Sequence, residues 1–268
     1  MEMQRKINKK NFMTILATAL AIIAVLIVIK TIPPGKSSQS DLPTPTVPVV
    51  DHDREALGGD IDETSFPRII YDPRNVDLDE LITSFDFLRN PLPGTWMSWK
   101  DAHLPGAARP YRAGTHYGLD FYPDTSGGGI GLGSTVKAAA PGTVKRIDHD
   151  YIPPPAGKLG ELAVECQQRG YTPDETLNIF RGRQIWIENE HGFLVYYCHL
   201  HEVNDELEVG DYVKTGDIVG KMGFSGTDEP DRPHLHLEIW FGDHYLGEGM
   251  TVEQIRTFFE STIFREER

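Results

Sequence analysis

The sequence predicts a mainly β fold: a compact antiparallel β-sheet or sandwich domain with a helical insertion and a C-terminal helix, behind one N-terminal transmembrane helix. Three observations predict it. Short runs rich in β-branched and aromatic residues recur between glycine turns from Thr135 to Trp240, the pattern of a strand-and-turn architecture. Residues 149–183 interrupt that series with helical periodicity. Phe12 to Ile29 is an unbroken apolar or Thr run behind Arg5, Lys6, Lys9 and Lys10.

The apolar run would form a helix about 27 Å long, close to the ~30 Å hydrocarbon core of a bilayer. Its basic flank places residues 1–11 in the cytoplasm and the remainder outside. It carries no small-x-small cleavage site directly after it, so residues 12–32 are read as an uncleaved membrane anchor rather than a signal peptide. Residues 33–65 turn to Pro, Ser, Thr and Asp; such a segment cannot bury enough apolar surface to fold and reads as an extended stalk.

Asp77 with Glu80 three residues on, followed by Leu78, Leu81, Ile82 and Phe85 at helical spacing, predicts a short capped helix that docks on the domain. The stretch from Asn90 to Gly114 is loop-like, with Trp96 and Trp99 as anchors or groove walls and His103 structural or solvated. Gly127-Gly128-Gly129 lacks the Lys-Ser/Thr of a phosphate loop and reads as a hairpin or rim loop. Strands are expected at Thr135–Ala138, Gly142–Ile147, Ile185–Ile187, Leu194–Cys198 and Ile218–Met222. Within the insertion, Leu159, Leu162, Ala163 and Cys166 share one helical face, and Thr172-Pro173-Asp174-Glu175 starts a second helix with Pro at its first position. The insertion is expected to cover the sheet, with a wall of a substrate groove as the alternative. Thr251-Val252-Glu253-Gln254 is a capping box that opens a helix burying Ile255, Phe258, Phe259 and Thr262.

The formal charge is -14, and because the first 30 residues carry five basic and one acidic side chain, the remainder holds -18. So acidic a domain excludes nucleic acid as a partner. Two cysteines, Cys166 and Cys198, do not make a disulfide scaffold. They are expected to be buried free thiols, with one Cys166–Cys198 bridge as the alternative outside the membrane, and Cys198 is expected to point away from the site into the core.

Chemistry concentrates in three clusters. In PHLHLEIW, Pro233 to Trp240, apolar Leu235, Leu237 and Ile239 alternate with His234, His236 and Glu238, which puts two imidazoles on one strand face. In THYGLDF, His116 and Asp120 stand four residues apart around Gly118, whose missing side chain lets the backbone approach closely. YYCHLH ends a further strand-like run at His199 and His201. A catalytic zinc site needs three N or O ligands and one open position, and His116, Asp120 and one histidine of HLH would supply them.

With HYGLD, YCHL and HLH in that order, AAAPGTVKRI after the first motif and VGDYVKTGDIVGKMGFSG leading into the last, the chain resembles the lysostaphin/LytM-type zinc metallopeptidases, which cut peptide cross-links in bacterial peptidoglycan. The resemblance covers residues 110–242. It implies one Zn²⁺ held by His116, Asp120 and His236, and His199 and His234 beside the metal as proton-transfer and oxyanion groups, in an order left open. His201 is expected to be solvated rather than a support to the ligands, and His149, His191 and His244 match no motif position. The implied protein is a single-pass cell-membrane enzyme with an extracytoplasmic peptidase domain at 66–268 acting on peptidoglycan peptide; Gly-Gly bridges and direct D-amino-acid cross-links both fit. Two rivals are a non-hydrolytic module that docks or activates another wall hydrolase, and a phosphocarrier domain using its His pair. The first lacks the usual loss of a site position, and the second has no need of Asp120 or an anchor.

Overall fold

The computed structural model of the protein describes residues 67–265, so the expected anchor at 12–32 and stalk at 33–65 lie outside the described residues. Among the described residues no helix is long and apolar enough to cross a membrane. The first element is α1, Leu78–Ser84, capped as expected by Asp77, whose side chain accepts the Glu80 amide at 3.0 Å. A small ribbon, β1 (Ala108–Arg109) with β2 (Gly114–Thr115), leads into β3 (Gly118–Phe121) and the one-turn helix α2 (Pro123–Ser126). Then come β4 (Thr135–Lys137), β5 (Gly142–Ile147), helices α3 (Lys158–Arg169) and α4 (Asp174–Arg181), β6 (Ile185–Glu188), β7 (Leu194–Cys198), β8 (Leu200–Val203), β9 (Tyr212–Val213), β10 (Ile218–Met222), β11 (Leu235–Phe241), β12 (His244–Tyr245) and α5 (Val252–Ser261).

All pairings are antiparallel. The main sheet runs β12-β11-β7-β6-β5-β9 with β3 also on β11, and a three-stranded sheet runs β4-β10-β8. Alternation along the main strands sends Leu237, Tyr197, Ile185 and Leu119 to one face, where register aligns them in a core closed by Phe85 of the α1 end and Phe258 of α5. The capping box of α5 is present in both directions, Thr251 with Gln254, and Ile255, Phe258, Phe259 and Thr262 are buried as the pattern predicts.

The opposite face of β11 is not wet. Arg181 of the insertion lies over it, and His236 and Glu238 are buried, as is Leu237 between them. Inside the insertion the buried stripe Leu159, Leu162 and Cys166 matches its helical spacing. Pro173 caps α4 instead of opening it, one residue from expectation.

Candidate active site

Register assembles the site. Across β11, His236 faces Asp120 of β3 on one side and Cys198 of β7 on the other. Opposed residues of an antiparallel pair project to the same face, so Cys198 shares the site face and does not point away into the core as the sequence pattern predicted. Gly118 is obligatory here: a Cβ would sit 2.3 Å from the Leu237 carbonyl oxygen of β11, and that close approach brings Asp120 level with His236. His116 lies in the short link between β2 and β3, its amide donating to Ala107 at 2.8 Å.

The result is three candidate ligand atoms close to one point. His116 Nε2 is 2.9 Å from Asp120 Oδ1, His236 Nδ1 is 2.7 Å from the same oxygen, and the two nitrogens are 2.9 Å apart. All three residues are buried. Each imidazole uses its other nitrogen elsewhere: His116 Nδ1–H donates to the Leu104 carbonyl at 2.9 Å and His236 Nε2–H to Glu238 at 2.8 Å. That fixes the tautomers and turns the converging nitrogens into lone-pair donors, the arrangement of metal-bound histidines. Two imidazoles and a carboxylate suit zinc, so the donor set fits the expected ion. Burial raises the Asp120 pKa, but His116 and His236 beside it outweigh that and hold the carboxyl well below its usual range. Burial, helped by His236 and Arg109, takes His116 down to about 4 against the pull of Asp120.

His199 and His234 flank this cluster, their rings 4.6 Å apart and His199 5.5 Å from His236. His199 interrupts the strand pattern. Its φ of 61° is left-handed, a conformation uncommon outside glycine, and it splits the run into β7 and β8. The kink is pinned by amides of His199 and Leu200 donating to Arg181 and Arg183 at 2.9 and 3.0 Å. Cys198 thus lies on the sheet face of His236 and His199 lines the groove, while His201 is exposed on β8. Of the five expected groups only Asp120 and His236 sit in strands proper; the other three occupy the residues that join or precede them.

His199 Nδ1–H donates to the Ser225 carbonyl at 2.8 Å and His234 Nδ1–H to Arg232 at 3.1 Å, leaving each Nε2 as an acceptor. Burial lowers both imidazoles, His199 well below its usual range and His234 to about 4. Two further side chains carry no motif signal. Tyr122 stacks on His234 at 4.0 Å with its hydroxyl 3.2 Å from Nε2. His103 is buried behind Tyr122, its ring 4.5 Å away and its Nδ1 2.8 Å from Ser98 Oγ.

The cluster opens on a groove of about 560 Å³ whose walls include His103 and Arg109, the loop residues Thr227 to Glu229, and Leu159, Ala163 and Phe180 of the insertion. The insertion thus forms a groove wall as well as covering the sheet, against the simpler expectation. Trp96 and Trp99 are exposed and do not line it; Trp96 packs over Gly127. Cys166 and Cys198 are free and buried, as expected. Sequence reasoning missed Glu238, although its period-two spacing from His236 put it on the same face. It also missed Arg181, which pairs with Glu238 from 57 positions away, a separation that no local pattern bridges.

Residues 114–247 match Peptidase family M23. The chain belongs to that family. The M23 match spans both ends of the ligand set and the insertion between them. Over 125 residues the chain is 29% identical to lysostaphin of Staphylococcus simulans and equally to that of Staphylococcus staphylolyticus, an alignment that covers 47% of this chain and 18% of each relative. Among solved structures, lysostaphin from S. simulans overlaps at a TM-score of 0.36 and 24% identity, with 57% of this chain and 47% of that chain covered. A zinc-containing peptidase from Vibrio cholerae overlaps at 0.39 and 18% identity, covering 62% and 40%.

Proposed function

We propose that this M23 peptidase is a zinc endopeptidase that hydrolyses peptide cross-links of bacterial peptidoglycan, held at the outer side of a cell membrane by residues 12–32 and raised from it by 33–65. The observation that carries the reading is the convergence of His116 Nε2, Asp120 Oδ1 and His236 Nδ1 within 2.9 Å of one another, with two neutral imidazoles alongside. All five positions that a hydrolytic site of this kind needs are filled, which favours the enzyme over the docking module.

His116, Asp120 and His236 would hold the ion, which when bound polarises the scissile carbonyl and lowers the pKa of a water toward ~7. The groove holds the peptide across the ligand cluster and limits the entry of bulk water. His199, whose Nε2 has no hydrogen-bond partner among the described residues, takes the proton of the attacking water. His234 holds Tyr122 by its stack and hydrogen bond, and the Tyr122 phenol, which burial drives far above its usual range and so keeps protonated, is the donor that turns to the oxygen on which negative charge develops.

The test is incubation of the full chain with purified peptidoglycan, with and without a zinc chelator, followed by mass spectrometry of the muropeptides. Chelator-sensitive loss of cross-linked species is expected. A folded, zinc-loaded chain that leaves them intact would hand the reading to the docking module.

A further inference from the structure

Arg181 carries the insertion to the support of the ligand cluster. Arg181, the last residue of α4, extends over the site face of the main sheet and meets Glu238 with two hydrogen bonds, Nε to Oε1 at 3.0 Å and Nη2 to Oε2 at 2.6 Å. Both are buried, and Glu238 is 1% exposed. The other acceptor sites of the carboxylate are filled by His236 Nε2–H at 2.8 Å and Trp240 Nε1–H at 2.5 Å. The guanidinium lies over Tyr196 and Trp240, 5.2 and 5.7 Å from their ring centres, with Asn178 Oδ1 accepting from Nη1 at 3.2 Å. Neither charge could stay buried without the other. A planar fork on a carboxylate also fixes direction as well as distance.

We propose that Arg181 is a positioning residue for the metal centre: it locks the Glu238 carboxylate that takes the Nε2–H of His236, and so aims His236 Nδ1 at Asp120 and His116. This rests on the zinc reading above. Three donors compete for Glu238, and only a carboxylate held by the Arg181 fork has lone pairs facing all of them at once. Partners of this kind set metal affinity by factors of about 10 to 100. The insertion therefore contributes to how tightly the ion is held, as well as to the groove wall.

The experiment measures the zinc dissociation constant of the full chain by competition with a chromogenic chelator, for the parent, R181M, R181K, E238Q and the double variant R181M/E238Q. Thermal unfolding without metal confirms that each is folded. R181M and E238Q should each weaken zinc binding by about 10- to 100-fold, and R181K, which keeps charge without the fork, should fall between R181M and the parent. The double variant should be no weaker than the weaker single one, because the two side chains act as one unit. A folded R181M with parental affinity, or losses that multiply in the double variant, would overturn the proposal. If R181M does not fold, R181K and E238Q decide by the same measure: parental affinity in both overturns it. A parent chain that binds no zinc defeats the zinc reading itself and this proposal with it, whereas zinc binding by the parent with unaffected variants removes Arg181 alone.

Discussion

The phenol of Tyr122 lies almost parallel to the imidazole of His234, 17° between planes at 4.0 Å, and points its hydroxyl at Nε2. Stack and hydrogen bond are separable by one atom. Tyr122→Phe keeps the stack and removes a neutral hydrogen bond worth about 0.5–1.5 kcal/mol. Turnover of a cross-linked muropeptide should fall by roughly 3- to 10-fold with bound zinc unchanged. Unchanged turnover would leave the hydroxyl without a part in the reaction.

The two histidines of HLH should separate in a single assay. His236→Ala removes a ligand, so bound zinc and activity fall together. His234→Ala and His199→Ala leave the three ligands in place; zinc stays and hydrolysis drops by about 10²-fold or more. Zinc per chain measured beside turnover checks this, and a His234→Ala chain that loses the metal while His236→Ala keeps it would reverse the assignment.

Removal of the metal should also lower stability. The ligand atoms are brought together by two chain segments far apart in sequence, 116–120 and β11, so an ion bound to the folded form only adds its binding free energy to folding. The unfolding midpoint should fall in chelator and return with added zinc, as followed by calorimetry. His236→Ala should show a much smaller difference between the two conditions.

Gly118→Ala tests the approach of β3 to β11. The new methyl meets the Leu237 carbonyl at 2.3 Å and His236 Cε1 at 2.9 Å, so the strands must part. A stability loss of about 1–3 kcal/mol is expected, together with weaker zinc binding because Asp120 moves with the strand. Denaturant melts and the chelator competition would show both; a variant unchanged in both would mean that the contact relaxes freely.

His103, in the groove wall behind Tyr122, gives a pH dependence of its own. Burial lowers its pKa below the usual value of 6.5, so below about pH 6.5 the unfolded chain binds more protons there than the folded one. Its contribution is complete above that pH and is lost as pH falls toward the folded value. The stability difference between parent and His103→Gln should accordingly shift against the parent between pH 7 and pH 5. A difference that stays constant over that window would show that His103 takes no part in the acid response.

The strand series was legible because glycine turns and period-two runs mark it directly, with Leu194–Cys198 and Ile218–Met222 falling where expected. The convergence of His116, Asp120 and His236 was legible because HYGLD and HLH each carry their chemistry within a few residues. The supports were not. Arg181 meets Glu238 only after the chain has closed a long excursion, and Tyr122 acts through a stack that no spacing encodes. The face of Cys198 was misjudged for a local reason: strict alternation assumes an extended backbone, and His199 leaves it.

That left-handed residue sets stability against activity at one position. Glycine would take the same φ without the steric cost, on the order of 1–3 kcal/mol, that a side chain incurs there. Any screen rewarding thermal resistance alone is therefore drawn toward glycine at position 199, and the chains it enriched would hold their zinc and lack the group that moves the proton.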